Sequence, residues 1–246
     1  LINSIFHTDL LTQQDKYPYL KQHFVGWFVK ADDDVFDDKV ATFMDFNLHQ
    51  NGNTRFMYVL PISKTHALIE YTLFSEHLLP VSEYETAIEK YMEQIGIKNY
   101  TITEKEQGNI PMTSFPFEKQ NTKNILHIGS AGGWTKASTG YTFALTTKKS
   151  KELVQFLKTE GDLSKFYKRS RYWFFDLIFL GVLYRNNELG SSIFASIFKN
   201  NMTGDIFRFL DEKGSWYSDL KIIFRTSPKV NFTISFLRNL PLILFG

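Results

Sequence analysis

Two short stretches of this sequence carry residue types that could do chemistry. In Leu68-Ile69-Glu70-Tyr71-Thr72 a carboxylate stands inside an otherwise apolar run. If the run is a strand, alternation places Glu70 on one face with Leu68, Thr72 and Phe74, and turns Ile69, Tyr71 and Leu73 to the other. An ionised carboxylate on an apolar face is costly. Two outcomes relieve the cost. A cation pairs with it, Arg55 or Lys64 on the adjoining hairpin being the candidates; or its pKa rises until it holds a proton near neutral pH and becomes a usable general acid. The second stretch is HIGSAGGWTKASTGYTF, His127 to Phe143, where Gly129, Gly132 and Gly133 follow a short apolar run. Glycines let backbone N–H groups approach a ligand closely, and a helix start beyond them adds positive potential next to phosphate or a reduced ring. The same pattern also serves as a plain turn between strand and helix. A dinucleotide fingerprint would open a domain and be followed about twenty residues later by an acidic ribose ligand. This loop instead sits past the middle of the chain.

Other chemistries find little support. The six histidines (His7, His23, His49, His66, His77 and His127) show no HExxH and no helical metal spacing, so no metal is expected. Asp32, Asp33, Asp34, Asp37 and Asp38 lack the alternating ligand positions and central Gly of a calcium loop and read as a charged turn. No GxSxG elbow or Walker loop is present. The absence of Cys removes disulfides, thiolate metal sites, iron–sulfur clusters and a Cys nucleophile, and points to an intracellular setting. Any redox chemistry needs a borrowed cofactor.

A net charge of +2 gives no argument for nucleic acid as a partner. The charge is uneven, however. Lys148, Lys149, Lys151, Lys158, Lys165, Lys168, Arg169 and Arg171 precede the apolar run Tyr172 to Tyr184, which is too short to span a bilayer and carries Asp176. The stretch is either a solvated helix followed by a buried one, or a basic and aromatic surface that seats the protein on an anionic membrane. The chain starts at Leu1 with no initiator Met and no leader, and reads as a fragment.

The elements that must position these residues fall into an ordered pattern. His23–Val29, Val40–Phe46, Arg55–Pro61 and His66–Phe74 are rich in β-branched and aromatic residues and separated by turn formers, which predicts an antiparallel sheet. Ser82 to Gly96 reads as a helix, with Ser82 as cap, Glu85 as its capping-box partner and Gly96 as the stop. Tyr100 to Met112 is a further strand region whose reach Gly108 and Pro111 limit. Ser138 to Leu157 reads as helix, and all beyond it as helical with breaks at Gly161, Gly190, Gly204, Gly214 and Pro228. The fold class is therefore α+β, a mixed or antiparallel sheet followed by a helical carboxy-terminal region. The 43% hydrophobic content suits a sizeable core. Phe occurs 24 times and aromatics make up 16% of the chain, enough for some to line an apolar site while others fill the core.

Gln22–Val29, Phe36–Phe46, Arg55–Ser75, Gly108–Met112 and Ile128–Phe143 together resemble, in order and spacing, the flavin-dependent lycopene cyclases of the bacterial and plant β-cyclase type. The resemblance covers nearly the whole chain but only the latter part of a complete cyclase, because the amino-terminal βαβ unit with its G-x-G-x-x-G is missing. It implies three parts: a substrate-binding β region over 1–112, an FAD-contacting glycine loop and helix over 113–160 belonging to a Rossmann-like flavoprotein fold, and a helical region over 161–246. In that family a second glycine loop packs against the flavin; Gly129, Ala131, Gly132 and Gly133 match it, with Ser138, Thr139 and Gly140 beside it. Glu70 matches the essential acid of the family's F-L-E-E-T or I-E-D-T motif, while the second acidic position is Tyr71 here. The implied reaction is redox-neutral cyclisation of lycopene or a related acyclic carotenoid, with reduced FAD, recharged by NAD(P)H, supporting the cationic transition state. Phe74, Tyr58 and Trp27 are candidates to face the cation. The implied setting is cytoplasmic, peripheral to the inner face of the cell membrane. Other readings of the same residues are an FAD-dependent prenyl reductase or monooxygenase, or a flavin-free module that binds apolar ligands or membrane.

Overall fold

A computed structural model describes residues 1–167 and 169–245, and of Phe245 the backbone alone. Lys168 of the basic stretch lies outside the described residues. In chain order the elements are β1 (Ile2–Asn3), α1 (Asp9–Thr12), β2 (Tyr19–Ala31), β3 (Thr42–Asp45), β4 (Thr54–Pro61), β5 (His66–Ser75), α2 (Val81–Gln94), β6 (Tyr100–Thr113), β7 (Leu126–His127), α3 (Phe143–Phe156), α4 (Arg171–Arg185), α5 (Gly190–Asn200), α6 (Thr203–Leu210), α7 (Trp216–Arg225) and α8 (Lys229–Phe245). The α+β class and the antiparallel sheet expected from the sequence are what the structure shows. The chain forms two compact units, one of Lys21–Ile110 with Asn187–Ser191 and one of Leu1–Leu20, Pro111–Asn186 and Ser192–Gly246.

The first, the sheet unit, holds a sheet of order β3-β4-β5-β2-β6. Its central pairings, β2 with β5 and β4 with β5, are antiparallel and unbroken over eight residue pairs or more. Period-2 alternation does the sorting. Val25, Trp27, Val29, Met57, Val59, Ala67, Ile69, Tyr71 and Leu73 point to one face, where Tyr84, Ile88, Tyr91 and Met92 of α2 cover them in one core cluster. Each fully buried large side chain of this kind stabilises the fold by roughly 1.5–3 kcal/mol. Asn187 ties the strand ends together: its side chain accepts from the Thr54 N–H at 2.6 Å and donates to the Phe74 carbonyl at 2.9 Å.

Several boundaries differ from the sequence reading. Helix α2 starts one residue before Ser82 with Pro80 at the cap position, and the Ser82–Glu85 capping box does not form; the Glu85 carboxylate is engaged instead by Lys105, 2.5 Å away on β6. Strand β6 runs straight through Gly108 and Pro111. As a terminal strand of the sheet it tolerates the proline, and Gly108 is needed for space, since a Cβ there would stand 2.3 Å from the Phe24 ring.

In the second, helical unit, the glycine loop is a single 3-10 turn, Gly129–Gly132, and not the immediate start of a helix. Residues 133–142 stay irregular because local bonds consume them: Lys136 N–H donates to Tyr141 O, and Gly140 N–H, with φ +73°, donates to Lys136 O. Helix α3 consequently starts at Phe143. Of the expected helix breaks, Gly161 and Gly214 fall in connections and Pro228 directly precedes α8, but Gly190 opens α5 and Gly204 lies within α6. The apolar run after the basic stretch is α4, which packs on α8 with Ser235 Oγ donating to Ile178 O at 2.7 Å.

Candidate acid site and glycine-loop cavity

The register of the sheet places Glu70 between Gly26 of β2 and Tyr58 of β4, on the face away from α2. Phe24 and Thr72 form the next pair on that face, Phe28 and Leu68 the one on the other side, and Phe56 pairs with Thr72 from β4. Their rings interlock: Phe56 lies edge-on to Tyr58 at 5.1 Å and to Phe74 at 5.2 Å, and Phe43 stands 5.6 Å from Tyr58. Phe74 and Tyr58 therefore share the face of Glu70. Trp27 does not: at 2% exposure it is buried on the α2 face, with Lys105 Nζ 4.9 Å above its ring.

Neither expected cation reaches Glu70. Arg55 lies on the α2 face, where its Nη1 donates to Tyr71 Oη at 3.1 Å and its Nε to Asn53 Oδ1 at 2.7 Å, and Lys64 Nζ is 3.8 Å from Asp34 Oδ2. Of the two alternatives, the surroundings of Glu70 favour the second. Burial raises the Glu70 pKa to about 7; the Thr72 hydroxyl, donating at 2.5 Å, opposes the rise, and the charge of Glu106 and a carboxyl–carboxyl hydrogen bond with it reinforce it.

Glu106 is the residue that sequence reasoning missed. It stands on β6, on the far side of β2 from Glu70, and reaches across at Gly26, the one position where no side chain intervenes. A Cβ on Gly26 would lie 3.0 Å from Glu106 Cγ, 3.1 Å from its Oε1 and 2.9 Å from Leu68 Cδ1. The available signal was a carboxylate at alternate spacing in β6 together with a glycine facing it from β2.

The glycine loop borders a cavity of about 350 Å³ in the helical unit. Gly132 and Gly133 line it, as do Ser130, Thr135, Lys136 and Ala137 from the same segment; Gly129, Ala131, Ser138, Thr139 and Gly140 do not. Gly133 has φ +65°, a conformation that favours glycine. Pro111, Ser114, Phe115, Phe117, Tyr167 and Trp173 supply other parts of the wall. Ser114 is buried and its Oγ has no hydrogen-bond partner. Lys136, fully buried, holds Asp176 of α4 through both carboxylate oxygens at 3.0 and 3.1 Å, with Glu212 Oε1 at 3.9 Å. Lys149 of α3 sits 4.3 Å over the Tyr167 ring, and burial lowers its pKa to about 8 against the pull of Glu212 and Glu152. This cluster was not anticipated either, although its signal was present as a lysine inside the glycine segment and an aspartate inside an apolar helix.

Residues 7–238 match the protein family described as Lycopene cyclase protein. The chain belongs to the lycopene cyclase family. Among solved structures, this member of the family is similar to a geranylgeranyl bacteriochlorophyll reductase-like protein from Thermoplasma acidophilum, with 14% sequence identity and a TM-score of 0.59. The alignment covers 88% of the cyclase-family chain and 54% of that protein, so the chain spans about half its length. No curated protein matches the sequence.

Proposed function

We propose that the protein carries the acid-catalysed, redox-neutral cyclisation of an acyclic carotenoid such as lycopene, with Glu70 as the acid. The observation behind this reading is a half-buried carboxyl on an aromatic face of the sheet, reached by neither Arg55 nor Lys64, whose pKa burial raises to about 7. A hydrocarbon substrate offers no heteroatom to grip, so the site needs a strong local acid and ring faces for the cation it makes. Glu70 protonates a terminal double bond; a nearby double bond of the same polyene closes the six-membered ring on the resulting cation; a C–H bond then gives up its proton. Substrate and product are isomers. Tyr58, Phe56 and Phe74 present π-electrons on the same face as the acid.

The cavity beside the glycine loop has the lining, and at about 350 Å³ the size, for the ring end of FAD rather than the whole cofactor. The unpartnered Ser114 hydroxyl, the Ser130 and Thr135 hydroxyls, the Gly132 and Gly133 backbone and the Lys149 ammonium are suited to a ring system bearing carbonyls and negative charge. These residues, with Gly129, Ala131, Ser138, Thr139 and Gly140 shaping the loop around them, would hold it. In its reduced form, recharged by NAD(P)H, the flavin supplies negative charge that favours a cationic transition state. Peripheral attachment to the inner face of the cytoplasmic membrane accords with a membrane-dissolved substrate.

In a lycopene-producing bacterium expressing the complete enzyme, Glu70→Gln leaves FAD bound and lowers ring formation by about a hundredfold or more. Unchanged output of cyclised carotenoid rejects the assignment. The similarity to a reductase-like protein keeps a flavin-dependent prenyl reductase as the second reading, and product mass separates the two, because a reductase adds hydrogen and a cyclase does not.

A further inference from the structure

We infer that Glu106 is the second carboxyl of the acid site, sharing one proton with Glu70 and able to receive the proton that the cyclised cation gives up. This deepens the cyclase reading and rests on it.

The Glu106 side chain approaches over Gly26, its Cγ 3.0 Å and its Oε1 3.1 Å from where a Gly26 Cβ would stand, and Gly26 is the direct partner of Glu70; carboxyl groups brought together in this way are better held with one proton between them than as two like charges. The contact is built into the sheet. Strand order brings β6 beside β2, and Gly26, paired directly with Glu70, leaves open the path along which Glu106 approaches. Around Glu70 the other strands offer Thr72 from β5 and Tyr58 from β4, neither of them a charge. The family's neighbouring second acid is replaced here by Tyr71, whose hydroxyl is engaged with Arg55 on the opposite face. Glu106 thus brings to the acid face, from a different strand, the carboxylate that the motif lacks.

Cyclisation consumes one proton and releases one. In the resting site the pair holds a single proton and a single negative charge. When Glu70 forms the new C–H bond, the π pair of that double bond takes the proton and the site is left with two carboxylates beside a carbocation. Ring closure uses the π pair of the second double bond. The breaking C–H bond then leaves its electrons as the ring double bond, and its proton returns to the carboxylate pair. No oxidant or reductant is consumed, and the site ends as it began. A single acid would have to be both the donor and the base from one position; two carboxyls on adjacent strands separate these tasks.

The test compares wild type, E106Q and E106D. In the complete flavin-loaded enzyme turning over lycopene between about pH 5 and 9, E106Q lowers kcat about tenfold or more and moves the alkaline limb of the rate profile down by about one pH unit, because a like charge no longer holds the proton on Glu70; E106D recovers part of the rate. Independently of turnover, an infrared titration shows a protonated carboxyl band at about pH 6 that is missing in E70Q and whose midpoint falls in E106Q. An E106Q enzyme with wild-type kcat, alkaline limb and infrared midpoint overturns the inference. If E106Q does not fold, an unshifted infrared midpoint in E106D overturns it equally. A wild-type enzyme that closes no ring refutes the cyclase reading instead, while the infrared arm still decides whether the proton is shared.

Discussion

Two side chains of the sheet unit answer pH in opposite senses. His23 is buried between Ser75 Oγ, 2.7 Å from its Nε2, and Tyr84 Oη, 2.6 Å from its Nδ1. Burial, then the nearby Lys21 and Arg55, lower its pKa from 6.5 to about 4. The unfolded chain therefore binds more protons between those values, so the stability contributed by neutral His23 is full above 6.5 and is lost as pH falls towards 4, by up to about 1.4 kcal/mol per pH unit. Glu70 behaves conversely. Raised from 4.5 to about 7, it binds more protons when folded, and its contribution, full below 4.5, is lost as pH rises to 7. The two oppose each other between 4.5 and 6.5. Urea unfolding at a series of pH values should accordingly show E70Q gaining stability with pH through that window more steeply than the wild type; parallel curves would mean that Glu70 titrates normally.

At the level of elements, the buried pair of Lys136 and Asp176 joins the segment after the glycine loop to α4. Removing one partner strands a buried charge, so Lys136→Met should cost about 3–5 kcal/mol in chemical denaturation, whereas adding Asp176→Leu should recover much of it. Glu212, whose pKa burial already raises, can take up a proton once Lys136 is gone. The reach of sequence reading follows the same line between local and non-local. Strands β2 to β5 and the placement of Glu70 were legible because alternation of side chains is decided within each strand. The late start of α3 was not, because Ser138 and Thr139 are helix-compatible until the Lys136–Tyr141 and Lys136–Gly140 backbone bonds claim the segment. The Glu106 contact was invisible for a different reason: it exists only because β6 returns to lie against β2, and nothing in either strand announces its neighbour. Trp27 was misplaced among the cation-facing aromatics for the want of one fact, which face α2 covers.

For the whole molecule, no helix among the described residues is long and apolar enough to cross a membrane. Helices α7 and α8 nevertheless expose Trp216 (59%), Tyr217 (79%), Phe224 (70%), Val230 and Leu237, interspersed with Lys221, Arg225, Lys229 and Arg238. Aromatic and basic residues so mixed suit the headgroup region of an anionic bilayer. Replacing Trp216, Tyr217 and Phe224 together by Ser should reduce co-sedimentation with phosphatidylglycerol vesicles severalfold while changing the unfolding free energy by only about 0.5 kcal/mol per site, since exposed positions contribute little to stability; undiminished sedimentation would exclude this surface as the attachment site. The last strand of the sheet is complete at Thr113, but the amide of Asn187 that fastens Thr54 to Phe74 is made only after the glycine loop and α4. A nascent chain thus carries its finished sheet unlatched while the glycine loop and the helices α3 and α4 are made, and the clasp closes on it from a distant codon.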